Sequence, residues 1–83
     1  LCFIHMQRNV RKNMGKDDSK EFNDTLKALR TFKDFEKAIH SFENLCRQYQ
    51  KKYPHFMQCL LDKKERYFIF LKYPKVLQKH IYT

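Results

Sequence analysis

The sequence predicts an all-α fold: a small bundle of about four helices in a single domain. Three observations carry this. Apolar residues recur at three- and four-residue spacing along most of the chain. One Gly and two Pro among 83 residues leave too few turn formers for hairpins or a sandwich. Eight Phe and five Tyr supply large apolar area, and a 42% hydrophobic content is that of a globular chain.

Residues 2–14 read as the first helix, with Phe3, Met6, Val10 and Met14 as its apolar stripe. Cys2, His5 and Asn9 fall beside that stripe, and Arg8, Arg11 and Lys12 fall on its far side. Gly15 reads as a helix stop. Asp17, Asp18 and Ser19 then offer N-caps, because acids and hydroxyls suit the positive end of a helix. A second helix is expected over 19–31, with Phe22, Leu26 and Leu29 on its apolar face.

Asp34 reads as the N-cap of a third helix. Phe35, Ala38, Ile39, Phe42, Leu45, Cys46, Tyr49 and Tyr53 keep helical spacing. They predict a helix over 35–53 that ends before Pro54. Its stripe reads as core or partner surface, not as a cofactor box. Glu43 and Arg47 stand at i,i+4 and are expected to pair. A fourth helix is expected over 55–71, burying Phe56, Met57, Leu60, Leu61, Phe68 and Leu71. The run "RYFIFLKYP" is apolar enough for a strand, but it continues the helical pattern until Pro74. The tail "KVLQKHIYT" reads as a last helical turn or an extended exit. No repeat or low-complexity segment interrupts this order.

A net charge of +9 and a pI near 9.6 suit a polyanionic partner, nucleic acid first and an anionic membrane surface second. The plain alternative is that lysines solubilise ordinary helices. Arg8, Arg11, Lys12 and Lys16 lie in or just after the first helix, and Lys51, Lys52, Lys63, Lys64 and Arg66 extend the basic character. Phosphate contact needs only Lys and Arg presented together.

Cys2, Cys46 and Cys59 are odd in number and widely spaced, with no secretory leader and no apolar run of a membrane span's length. They read as reduced cysteines of an intracellular protein, cytoplasmic if prokaryotic, with Cys46 and Cys59 as small core residues. Cys2 and His5 at i,i+3 can face one ion, but structural zinc needs four ligands. Cys46, Cys59, His40, His55 and His80 form no second short-spaced pair, so no metal site is assigned. A Cys–His nucleophilic pair also needs an oxyanion site. No Gly-rich phosphate loop, nucleophile elbow or HExxH is present. No residue is assigned a catalytic role, and no small-molecule substrate or membrane partner is expected.

The order of short motifs says more. "CFIHMQRN" resembles the Cys-x-x-His-x-x-Arg-Asn signature of Mutator-type transposases, the insertion-sequence branch included. "AIHSFENLCRQYQKKYP" resembles the family's A-x-x-x-F…YP segment. "ERYFIFLKYPKVLQKHIYT" is similar to its aromatic stretch, which runs through a Tyr-Pro towards Thr-Thr-Asn-x-x-Glu. The matching positions are Cys2, His5, Arg8 and Asn9 at the front, and Tyr73, Pro74, His80, Ile81 and Thr83 at the back. Lys72 departs from the pattern, where relatives often carry an acid. Cys46-Arg47-Gln48 departs where an aromatic is common.

The resemblance implies a DNA transposase with an RNase H-like core and a helical insertion between its second catalytic Asp and its Glu. The chain resembles that insertion over nearly its whole length, and its non-Met start reads as a cut end. It implies that the three catalytic acids and their Mg or Mn ions belong to the parent enzyme outside this fragment. Its expected partner is transposon-end DNA, met through Arg8, Arg11, Lys12 and Lys16, with His5 and Asn9 towards the active site. The second reading is a small helical interaction module with incidental charge. It would dimerise through the 35–53 helix, or by exchanging helices between chains.

Overall fold

The computed structural model describes residues 3–73, and all the regular structure in that range is helical. Helix α1 spans Phe3–Asn13, α2 Lys16–Arg30, α3 Phe35–Tyr49, α4 Pro54–Asp62 and α5 Lys64–Phe68, followed by a 3-10 turn at Ile69–Lys72. The all-α expectation holds. The expectations on Cys2 and on residues 74–83 (Pro74, His80, Ile81 and Thr83 among them) lie outside the described residues.

Helices α1 and α2 run antiparallel, with Asn23 Nδ2 donating to the Gln7 carbonyl at 3.3 Å. Helix α3 returns along α2 and sets the Tyr49 ring edge-on to Phe22, centroids 5.5 Å apart. Helix α5 closes the bundle against α1 and α3. The apolar stripes read from the sequence are the core: Phe3, Met6, Val10, Phe22, Leu26, Ala38, Phe42, Met57 and Phe68 are all fully buried. Phe68 is the hub. Its ring lies 5.6 Å from Phe3, 5.1 Å from Phe42 and 6.5 Å from Phe70.

Three boundaries differ from expectation, each for a tertiary reason. Helix α2 starts at Lys16 rather than near 19, with Gly15 as its N-cap. Asp17 and Asp18 therefore sit in the first turn, where they oppose the helix dipole's positive end instead of capping. Gly15 is not a left-handed stop. Its φ is −59°, and a Cβ there would stand 3.3 Å from the Tyr53 hydroxyl. Asp34 caps α3 as expected, its Oδ1 accepting from the Glu36 and Lys37 amides at 2.9 and 3.4 Å.

Helix α3 ends at Tyr49, short of 53, because Tyr53 turns back across the bundle. Its hydroxyl donates to Asp18 Oδ2 at 2.8 Å and accepts from the Gly15 amide at 2.8 Å. Lys52 Nζ reaches the same carboxylate at 2.7 Å. This clasp ties the α1–α2 turn to the α3–α4 turn. Pro54 then starts α4 at its first turn, where a missing N–H costs nothing.

The expected 55–71 helix is broken at Lys63, which adopts φ −109° and ψ 9°. The break swings α5 round α3. Lys64 then pairs with Glu43 at 2.7 Å, so Glu43 serves α5 and not Arg47. Arg47 reaches Asn44 Oδ1 at 3.3 Å instead. The tighter 3-10 turn lets Phe68, Phe70 and Leu71 all face inward. Cys46 is buried as expected, and burial pushes its thiol up to about 12. Cys59 is exposed, against expectation, because it faces outward on the short α4.

The clasp makes a pH prediction. Hydrogen bonds from Lys52 and then Tyr53 hold the Asp18 carboxyl below its ordinary 3.8. Its folded value is thus lower than its unfolded one. The stability it contributes is full above 3.8 and is lost as pH falls through the lower folded value. Glu43, held down by Lys64, acts in the same direction. Melting temperature followed by circular dichroism should fall as pH drops below about 4, and Asp18→Asn should reduce that fall. An unchanged drop in the variant would mean that the clasp contributes nothing.

Candidate nucleic-acid interface

The surface between α1 and α2 is not flat. Where Phe22 and Leu26 fill the core, α2 sets the short Ser19 and Asn23 towards α1. The Ser19 hydroxyl folds back onto the Lys16 carbonyl at 3.0 Å. A trough of about 540 Å³ remains, lined by Arg11, Met14, Lys16, Ser19, Lys20, Asn23, Asp24 and Lys27. Lys16, Lys20 and Lys27 fall along one side of α2, and Arg11 comes from the last turn of α1.

Four cations thus meet one carboxylate, Asp24, around the trough. Among the described residues none of the four is in an ion pair. Other bases are already engaged. Lys52 holds Asp18, Lys64 holds Glu43, and Lys72 Nζ stands 4.3 Å over the Phe35 ring. Lys51, Lys63 and Arg66 are exposed but do not join the trough. Four cations lining one concavity attract phosphate, because their fields add and the single carboxylate, Asp24, offsets only part of them.

Arg11 and Lys16, two of the four expected contacts, are brought together here, and Lys20 and Lys27 join them. Arg8 and Lys12 are exposed on α1 but do not line the trough. The signal for Lys20 and Lys27 was their spacing from Lys16, which keeps all three near one side of a helix. Starting the helix at 19 hid that register. His5 and Asn9 are exposed on α1, and Tyr73 is 46% exposed at the far end of the described chain. The two ends of the bundle meet, since the Phe3 ring packs edge-on to Phe70 at 5.8 Å.

The sequence profile described as Transposase, Mutator family, matches residues 1–83, the whole chain. The chain belongs to the Mutator transposase family. No curated protein and no solved structure matches it.

A divalent metal ion needs several donors converging on one point. Among the described residues no three His, Cys, Asp or Glu side chains stand close enough to hold an ion. The acids Asp34, Asp18 and Glu43 instead cap a helix or pair with lysines. No helix among the described residues is long and apolar enough to cross a membrane.

Proposed function

We propose that this chain is the helical insertion domain of a Mutator-family DNA transposase, and that its α1–α2 trough holds the phosphate backbone of transposon-end DNA. The observation that carries the reading is the trough itself: Arg11, Lys16, Lys20 and Lys27 line it with one carboxylate, Asp24, and none of the four is in an ion pair among the described residues. The adjacency of Phe3 and Phe70 supports an insertion, because a unit spliced into another domain must enter and leave at neighbouring points. In this reading an RNase H-like core outside these residues supplies the Asp, Asp and Glu. Mg or Mn bound there would activate water and then a DNA 3′-hydroxyl.

The competing reading, dimerisation through the apolar stripe of α3, has less surface to use. Ala38, Ile39, Phe42, Leu45 and Cys46 are already buried within the chain. A dimer through them requires helix exchange, which light scattering would detect.

The test is a salt titration of binding to a labelled duplex, read by fluorescence anisotropy. Four phosphate contacts predict a log–log slope of roughly −3.6. A flat slope, or no binding at the lowest salt to the duplex or to either of its separated strands, overturns the DNA reading.

A further inference from the structure

One buried atom of a residue that lines the trough lacks what its chemistry requires. Asn23 is only 6% exposed. Its Nδ2 donates to the Gln7 carbonyl at 3.3 Å, which fixes which way the amide faces. Its Oδ1 is buried and accepts no hydrogen bond. Buried polar atoms are nearly always paired, and leaving one unpaired disfavours the folded state. A donor from outside the chain, a water molecule or a ligand group, would meet that acceptor.

The surroundings say what kind of molecule brings it. Four cations around the trough require an anionic ligand. A simple anion has no N–H to give, and a basic peptide, though rich in donors, is repelled. A nucleotide carries both groups: phosphate for the cations and, on adenine, cytosine or guanine, an exocyclic amine. Thymine offers only N3–H, flanked by two carbonyl oxygens that repel the Asn23 oxygen. Asp24, on the same lining, adds a second acceptor for base N–H groups. At about 540 Å³ the trough has the size of a small-ligand pocket and suits a single base better than the broad edge of a duplex.

We infer that the trough takes an unpaired, amine-bearing base of single-stranded DNA, with Asn23 Oδ1 as acceptor and Arg11, Lys16, Lys20 and Lys27 on the flanking phosphates. This rests on the DNA reading above and sharpens it to unpaired strands. Entry moves the long lysine and arginine stems aside onto phosphate, which opens the floor of the trough to the base. Asn23 acts as a specificity determinant, whereas the cations act on every sequence alike.

The test measures the 83-residue chain against fluorescein-labelled dA, dC and dT decamers and a duplex of equal length, at low salt. The expected result is tighter binding of dA and dC than of dT, by about threefold to tenfold, in the range of one base contact. Asn23→Leu should abolish that preference while its melting temperature holds or rises. The Gln7 carbonyl keeps its own helical partner, and the orphan oxygen is gone. Asn23→Ala serves as the second variant should the leucine disturb folding. Equal binding of all three decamers, a preference that survives both variants, or a melting temperature that falls sharply in both overturns the inference. Duplex binding with the expected salt slope would then leave the broader DNA reading standing. Absence of binding to any of the four probes overturns both.

Discussion

Phe68→Ala is expected to cost about 3–5 kcal/mol and to lower the urea midpoint sharply. The ring is fully buried and touches the rings of Phe3, Phe42 and Phe70, which belong to α1, α3 and the 3-10 turn. Truncation removes the apolar transfer energy and leaves a cavity that three rings on separate elements cannot all collapse into. A domain of this length has a total stability of only about 4–12 kcal/mol, so the loss is a large fraction of it. Phe35 is the control. It is half-buried at the rim beneath Lys72, and its alanine variant should lose far less. Urea midpoints read by circular dichroism separate the two. A loss under about 1 kcal/mol at Phe68, small beside known core truncations, would mean that α5 is not docked on α1 and α3.

Replacing Arg11, Lys16, Lys20 and Lys27 together with glutamine should flatten the salt dependence of duplex binding by about 3.6 on the log–log scale. Each phosphate that is no longer neutralised keeps its condensed counterion, so salt has less to compete with. Glutamine is uncharged and has a helix propensity close to that of Lys and Arg, so the fold should survive. The control substitutes Lys33, Lys37, Lys51 and Lys63, which are exposed elsewhere on the bundle. It removes the same formal charge. If net charge alone drives binding, both variants weaken it equally. If the trough is the site, only the first changes the slope by that amount. A third variant, Arg8 and Lys12 to glutamine, separates the α1 surface expected from the sequence from the trough found in the structure. Weakening confined to this third variant would move the interface to the outer side of α1.

Features set by neighbouring residues were legible in the sequence, and features set across the bundle were not. The Asp34 cap was legible because a cap depends only on the residues beside it. The start of α2 was not, because Gly15 is placed by Tyr53, 38 residues away. The cysteines split in the same way. Cys46 continues the stripe of α3 and is buried, whereas Cys59 points outward from a helix whose length depends on the break at Lys63.

By itself the sequence determined the all-α class, the core stripes, the Asp34 cap and the family. These properties repeat locally: a three- or four-residue period records which side of a helix is buried, and short ordered motifs record descent. Only the tertiary structure decided that Arg11 and Lys27 line one trough, that Glu43 serves Lys64, and that Asn23 is left with an unpaired oxygen. Those facts depend on which helices lie side by side and on how they are offset. No local period encodes that, because the packing of whole side-chain faces settles it.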